Sequence, residues 1–370
     1  MRDFRSHVIL ALLFTGCFAE RVCHAQTPPA NGKIKIGVSV PLTGPGAAYG
    51  SDIKNALIFA NQRIANSAYE LIIEDDHCSN KEAVSVAQKL TNTDNVKYML
   101  GFGCSGTVIA SAPVYEKARV VSIASGTGAP AITEAGDYVF RTKPSLLHAG
   151  NLLAKEMAIK FNKVGLITEE TDYCQGLSQA LMKAADELKL ETINENFLPG
   201  IEDFKGTLLK LKSKGVSALF LNPQGEGTMT SLYRQLKELH WNVPVYGTFM
   251  PGSAAFISAL GSHADGIIYA DVEFNDRMLN ERGRQLYSEF LKEYGTPAGA
   301  EHFGALTLIA FSALDEAIKS GKDVKEYLYQ NTFRELTAGF SFDRNGDVVS
   351  DKIVYVLKIL EDSAPRPYPH

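Results

Sequence analysis

Apolar and polar residues alternate from Ile34 to Val40, with Ile34, Ile36, Val38 and Val40 set against Lys35, Gly37 and Ser39, which is the period-two signature of a strand. A Gly/Pro loop at 41–46 follows. The pattern then shifts to helical spacing, with Ser51 as expected cap and Ile53, Leu57, Ala60 and Ile64 on one face. Leu71–Ile73 predicts the next strand. Ser79-Asn80-Lys81-Glu82 has the form of a capping box, ahead of a helix that buries Ala83, Val86, Ala87 and Leu90. A strand ending at Phe102, a helix over 108–115 containing Pro113, and a strand over 120–124 complete this half. After Arg141-Thr142-Lys143-Pro144 the rhythm restarts. Helices are expected near 147–160, 176–189, 203–213 and 228–239, and strands near 164–167, 192–197, 218–221, 245–246 and 266–270. Long helices fit 278–294 and 303–319. The chain closes with an expected hairpin that pairs 340–342 with 353–359 around Asp343–Asp347.

Strand–helix alternation repeated in two halves predicts an α/β protein of two doubly wound parallel-sheet lobes. Two such lobes leave a cleft between them, a favoured place for a small ligand. Two turns stand out for chemistry. The run Tyr98–Phe102 ends in Gly103-Cys104-Ser105-Gly106, and the run Val120–Ala124 ends in Ser125-Gly126-Thr127-Gly128. Small residues at the carboxyl ends of parallel strands offer backbone N–H groups and hydroxyls to an anion. Neither turn has a P-loop lysine or a dinucleotide fingerprint, so the expected ligand is a small anion or carboxylate and not a nucleotide. Tyr49 and Tyr173 fall at strand ends, one in each half, and are expected to wall an apolar ligand body.

The first 25 residues read as an export leader. Arg2 and Arg5 precede the apolar run Val8–Phe14, and Ala25 offers a cleavage point. Phe14-Thr15-Gly16-Cys17 is a weaker match to a lipoprotein box, with a lipid on Cys17 as the alternative. The leader carries a net +1, so the formal charge of −5 becomes −6 on the mature chain, and no basic run suggests nucleic acid. Cys78, Cys104 and Cys174 remain after cleavage. An oxidising compartment favours pairing. If the strands preceding Cys78 and Cys104 are neighbours, those two cysteines meet and Cys174 is left free. No catalytic constellation is visible, and no metal or cofactor is implied. Asp75-Asp76 reads as a solvated turn more than an acid–base pair, and Asp343–Asp347 as a hairpin turn more than a calcium loop. Glu301 and His302 open a helix and are candidates to face the cleft.

Several of these segments, taken in order, resemble the periplasmic leucine/isoleucine/valine-binding proteins, the solute receptors of ABC importers. The resemblance rests on Pro41-Leu42-Thr43-Gly44-Pro45 with Tyr49-Gly50, Glu74-Asp75-Asp76 with Cys78, and Gly103-Cys104-Ser105. It continues through Ala129–Thr133, Phe140-Arg141-Thr142 and Gly339–Asp343 with Asn345-Gly346-Asp347. It implies the type I periplasmic binding fold with a multi-stranded hinge, a Cys78–Cys104 disulfide, and a ligand carboxylate on Ser105. Backbone donors would lie around Ser125, Gly126 and Thr127, and aromatics at Tyr49 and Tyr173. It implies a first lobe of 33–145 plus about 273–338, and a second of 146–272 plus about 339–362. Thr127 departs from the pattern, lying three residues before Pro130 where the family has Ser or Thr two before. Amino-acid binders of the family carry an acid after the strand at 245–247, whereas this chain has Gly247-Thr248-Phe249-Met250-Pro251. A further second-lobe turn, Asn222-Pro223-Gln224-Gly225-Glu226, brings Gln224 to the site.

Either Glu226 or Glu301 replaces the missing acid, or the ligand has no ammonium group and Phe249 adds an aromatic wall. The expected protein is a non-enzymatic, monomeric periplasmic receptor for a small carboxylate. Its partner is a membrane ABC permease, with a ligand sensor as the alternative role.

Overall fold

The apolar alternation of the first half folds as five parallel strands with helices on both faces. The computed structural model describes residues 32–273 and 277–369, so the expected leader, the cleavage point at Ala25 and Cys17 lie outside the described residues. The first lobe runs β1 (Ile34–Val40), α1 (Ala47–Arg63), β2 (Tyr69–Asp75), α2 (Asn80–Asn92), β3 (Tyr98–Gly101), α3 (Ser105–Ala118), β4 (Val121–Ala124) and β5 (Val139–Arg141). Its sheet order is β2-β1-β3-β4-β5, every pair parallel. Ser79 Oγ accepts from the Glu82 N–H, as its capping-box sequence predicts. Helix α1, by contrast, starts at Ala47, ahead of the expected cap Ser51, and Gly46 precedes it without a side-chain cap.

The second lobe runs α4 (Leu146–Lys160), β6 (Lys163–Glu169), α5 (Asp172–Glu187), β7 (Glu191–Phe197), α6 (Lys205–Ser213), β8 (Ala218–Asn222), α7 (Glu226–Glu238), β9 (Val245–Thr248), α8 (Ala254–Leu260) and β10 (Ile268–Val272). The chain then returns to the first lobe through α9 (Glu281–Tyr294), α10 (Glu301–Lys319) and α11 (Val324–Gln330). Helix α10 is apolar nearly all round because it is wedged against α1 and the β3–β4 face, burying Phe303, Leu306, Ile309, Ala310 and Leu314. Four short strands end the chain: β11 (Ser341–Phe342), β12 (Val348–Val349), β13 (Tyr355–Glu361) and β14 (Ala364–Pro367). The second sheet has the order β14-β13-β10-β9-β8-β6-β7, with β13 antiparallel to β10.

The structure corrects the expected terminal hairpin. Ser341–Phe342 pairs with Val348–Val349, and Tyr355–Glu361 joins β10 and β14 instead. The β11–β12 hairpin also lies on the first lobe. Phe342 meets Phe140 with ring centroids 5.1 Å apart, and the Arg141 N–H donates to the Gly346 carbonyl at 2.9 Å. Gly346 has φ +77°, and a Cβ there would sit 2.1 Å from the Val139 carbonyl oxygen, so this turn requires glycine. Residues 341–349 therefore pack against the first sheet.

Arg141 is fully buried and forks onto Asp347, Nε to Oδ1 at 2.6 Å and Nη2 to Oδ2 at 2.7 Å. The carboxylates of 343–347 thus serve the fold: Asp347 holds Arg141, and Asp343 accepts from the Asn345 and Asp347 N–H groups. The pair Asp75-Asp76 is likewise structural, and Asp76 is buried where a solvated turn was expected. Asp76 accepts from Ser39 Oγ at 2.9 Å, and Asp75 accepts from the Leu42 N–H and Thr43 Oγ1.

Cys78 and Cys104 form a disulfide with Cα atoms 5.5 Å apart. The expected reason was wrong in one respect, because β2 and β3 are not neighbours and both flank β1. The chain closes the gap through His77 and Cys78, both in the left-handed region at φ 53° and 57°. Cys174 is buried, and burial pushes its thiol well above the ordinary range.

Two stability predictions follow from these ties. Replacing both Cys78 and Cys104 by Ala should lower the unfolding free energy by about 3–4 kcal/mol on the chain-entropy account, while Cys174 stays unreactive to a thiol reagent until the protein unfolds. Asp347→Ala, which leaves the Arg141 charge buried and unpaired, should cost about 3–5 kcal/mol in urea titration. A loss under 1 kcal/mol would mean that the hairpin is not what holds Arg141.

Candidate functional site: the cleft between the two sheets

In each sheet the strand order reverses once, between β1 and β3 in the first and between β6 and β8 in the second. Loops diverge at such switch points and leave a crevice at the strands' carboxyl ends. The first crevice is bordered by the 41–46 loop, Tyr49 and the start of α3. The second is bordered by Tyr173 and Gln224. The two face each other and touch: Gln224 Nε2 donates to Tyr49 OH at 3.3 Å, and Asn80 Nδ2 donates to Asp172 Oδ2 at 3.2 Å. Gln224 is fixed from behind, its N–H donating to Glu169 Oε2 at 2.6 Å and its Oε1 accepting from Thr171 Oγ1 at 2.8 Å.

An aromatic cluster fills the junction. Tyr49 stacks on Phe303 with centroids 5.3 Å apart and an interplanar angle of 19°. Phe249 stands edge-on to Tyr49, Tyr173, Phe303 and His302 at 5.3–6.4 Å, so both lobes contribute rings to one box. Tyr173 OH donates to Thr248 Oγ1 at 3.3 Å. Tyr49, Tyr173, Gln224 and Phe249 are thus brought together, as the sequence led one to expect.

The polar side of the cleft differs in detail from expectation. Ser105 opens α3, is buried, and its Oγ accepts from the Ala129 N–H at 3.2 Å, which leaves the hydroxyl proton to donate elsewhere. The N–H groups of Ser125 and Gly126, expected as ligand donors, are already engaged with the carbonyls of Gly101 and Phe102 at 2.8 and 3.2 Å. They hold the β4 turn against β3. Ser125 Oγ shares a hydrogen with Thr307 Oγ1 at 2.8 Å. Thr127 Oγ1 is the group left over, buried and without a hydrogen-bond partner. Gly126 itself has no room for a side chain, since a Cβ would sit 2.8 Å from Ile53 Cδ1 and the Phe102 carbonyl oxygen.

The two candidate acids also separate. Glu301 is exposed at the start of α10, with Lys358 and Asp271 as its charged neighbours, and the residue after it, His302, is buried. Glu226 begins α7 and is buried with Oε1 unpartnered. Burial, reinforced by Asp52, pushes its carboxyl up to about 7. It reaches the edge of a cavity of about 460 Å³ between α7 and α8, bordered by Thr230, Arg234 and Ala259, and its charge also acts on the Tyr49 hydroxyl.

Sequence reasoning missed three charged groups at the junction. Lys143, on the segment that crosses from β5 to α4, is buried, and its Nζ lies 4.8, 5.0 and 5.9 Å from the ring centroids of Phe303, Phe249 and Tyr173. Burial lowers its ammonium to about 8, against the opposing pull of Asp271. Asp271 in β10 is held by Lys358 Nζ at 2.7 Å and by His302 Nδ1 at 3.0 Å. Burial alone would raise its carboxyl, but these two neighbours outweigh it and hold it well below the usual carboxylate range. His302 is lowered to about 4 by burial and then by Lys143. The imidazole is therefore neutral at pH 7, and its contact with Asp271 lacks hydrogen-bond alignment. The one sequence signal for Lys143 was its place two residues after the end of β5, just before Pro144.

Among the described residues no cluster of His, Cys, Asp or Glu is arranged to hold a metal. Comparison with known proteins gives the family. Residues 33–362 match the family model described as periplasmic binding protein. The leucine-, isoleucine-, valine-, threonine- and alanine-binding protein of Pseudomonas aeruginosa is 26% identical over 328 residues, covering 85% of this chain and 87% of its own. A leucine binding protein of Thermotoga maritima superposes with a TM-score of 0.83 at 20% identity, over 91% of this chain and 98% of its own. An ABC transporter solute binding protein of R. palustris, solved with benzoate, superposes with a TM-score of 0.80 at 19% identity, over 91% and 95%. Its two-lobed fold and the match along nearly all of its described length make this chain a member of the periplasmic binding protein family, a binding protein and not an enzyme.

Proposed function

We propose that this chain is the periplasmic receptor of an ABC importer, taking a small carboxylate ligand between its lobes and delivering it to a membrane permease. The observation that carries the reading is the pair of facing switch points joined by the Tyr49–Gln224 hydrogen bond. A ligand that reaches groups on both sides favours the closed form by the difference in its contacts there. The lobes exchange the chain near 145, near 273 and after the β11–β12 hairpin, and these crossings are the hinge. The protein acts as a monomer, exported by a leader cleaved near Ala25. The relatives' ligands, leucine, isoleucine, valine, threonine and alanine in one case and benzoate in another, bound the ligand class to an amino acid or an aromatic or aliphatic acid. Ser105 holds the carboxylate, with the free hydroxyl of Thr127 beside it, and Tyr49, Tyr173 and Phe249 wall the body.

The direct test is a thermal-shift panel of leucine, valine, benzoate and 4-hydroxyphenylacetate, followed by small-angle scattering with the best binder. A binder at a hundredfold excess over Kd should stabilise the protein by about 2.7 kcal/mol, and the radius of gyration should fall on binding. A ligand that binds with no compaction would contradict hinge closure.

Ser105→Ala removes a hydrogen bond to a charged group and should weaken the best binder about ten- to hundredfold by calorimetry. Unchanged affinity would put the carboxylate elsewhere.

His302 reaches from α10 in the first lobe to Asp271 in the second sheet, so its titration reports on the closed junction. Lys143, Lys358 and Asp271 face it. Its pKa is about 4 in the fold and about 6.5 in an unfolded chain, so the unfolded state takes up the proton first. Stability should therefore fall as pH drops from about 6.5 toward 4 and level off below. His302→Gln should flatten that slope in urea titrations at pH 7.0, 5.5 and 4.5. Identical slopes in the two proteins would show that His302 is not held neutral.

A further inference from the structure

Resting on the receptor reading above, we propose that Lys143 takes, from within the chain, the place that a ligand's ammonium group would otherwise fill, and that it pairs with the carboxylate of an acid lacking an α-amino group. The ligand class is then a monocarboxylate with a flat or branched apolar body.

Three observations converge. The first is the aromatic box. A cation belongs against ring faces, and the box of Tyr173, Phe249 and Phe303 already holds one, the Lys143 ammonium. A second ammonium entering the same box would meet it as a like charge in a medium that screens poorly.

The second is the charge balance. Asp271, buried beside the box, is paired with Lys358 through Oδ2, while its Oδ1 lies 3.0 Å from His302 Nδ1 without a hydrogen bond. Asp271 and Lys358 cancel, and His302 is neutral at pH 7, so within this group Lys143 is the charge in excess; Glu301, acting on Lys358 and Asp271, and Glu226, acting on Tyr49, lie at its margin. Among the described residues no carboxylate lies within ion-pair distance of Lys143. A buried charge without a partner is costly. A bound monoanion completes the balance, whereas a zwitterion leaves the excess in place.

The third is unmet hydrogen-bonding capacity at a single turn. Lys143 Nζ has three donors and one hydrogen bond, a long one of 3.4 Å to the Gly126 carbonyl. The next residue, Thr127, carries the buried hydroxyl with no partner. A carboxylate accepts from an ammonium and a hydroxyl together, and Ser105, tied through Ala129 to the same segment, has a third donor to give.

The test is calorimetry on the mature protein with 4-methylpentanoate, benzoate and leucine, repeated on Lys143→Met and Lys143→Gln. One or both of the deaminated acids should bind wild type at least tenfold tighter than leucine. That affinity should drop at least tenfold in each variant. The melting temperature of the free Lys143→Met protein should hold or rise, because the substitution removes an unpaired buried charge; a residue that merely filled space would give the opposite shift. Unchanged affinity in the folded variants, or a wild-type preference for leucine, overturns the inference and leaves the receptor reading standing. Binding of none of the three acids to wild type contradicts the receptor reading as well.

Discussion

Arg141 leaves β5 with its guanidinium locked to Asp347, and the residues after it are tied down in turn. Thr142 Oγ1 donates to the Leu306 carbonyl at 3.2 Å, Lys143 reaches the Gly126 carbonyl, and the Pro144 carbonyl accepts from Tyr355 OH at 3.3 Å. These partners belong to the C-terminal hairpin, to α10, to the β4 turn and to β13. The crossing segment is therefore pinned to both lobes at once, and it carries Lys143 into the junction. The charge on Lys143 cannot swing out to water without breaking that frame, so the electrostatics of the cleft follow from how the chain crosses.

The aromatic rings and the charges act together. Rings from both lobes exclude water, and a dry site makes each remaining charge count for more. Asp271 with Lys358 is self-contained, and Arg141 with Asp347 is self-contained. What remains uncompensated sits at the middle of the box. Phe249, which stands after β9 where the resemblance leads one to expect an acid, is a ring that faces a cation already present.

The strand–helix rhythm and the capping box at Ser79 were legible in local periodicity, and Tyr49 and Tyr173 in their places at strand ends; the Cys78–Cys104 pair, Gln224 and Phe249 were legible through the resemblance to the family. What failed was information that lives in tertiary register. Nothing in the sequence says that β1 inserts between β2 and β3, or that Tyr355–Glu361 pairs with β10 instead of closing a hairpin on Phe340–Phe342. The N–H groups of Ser125 and Gly126 look free until β3 is laid beside β4. Glu301 and His302 differ by one helical position, about 100° of rotation, and only packing against the second lobe decides which is buried. Lys143 was passed over because an isolated lysine at a strand end is ordinarily solvated; its burial is a property of two lobes meeting.

The central claim is that an anion binds against Lys143, and proton uptake measures it most directly. With the free ammonium at about 8, Asp271 and Lys358 as the charged groups around it and His302 neutral, a carboxylate placed beside it raises its proton affinity. Calorimetric titration of 4-methylpentanoate or benzoate at pH 8, run in buffers of different ionisation enthalpy, should reveal an uptake of about half a proton per ligand bound, vanishing at pH 6.5. Binding at pH 8 with no proton uptake, or with release, would contradict the account.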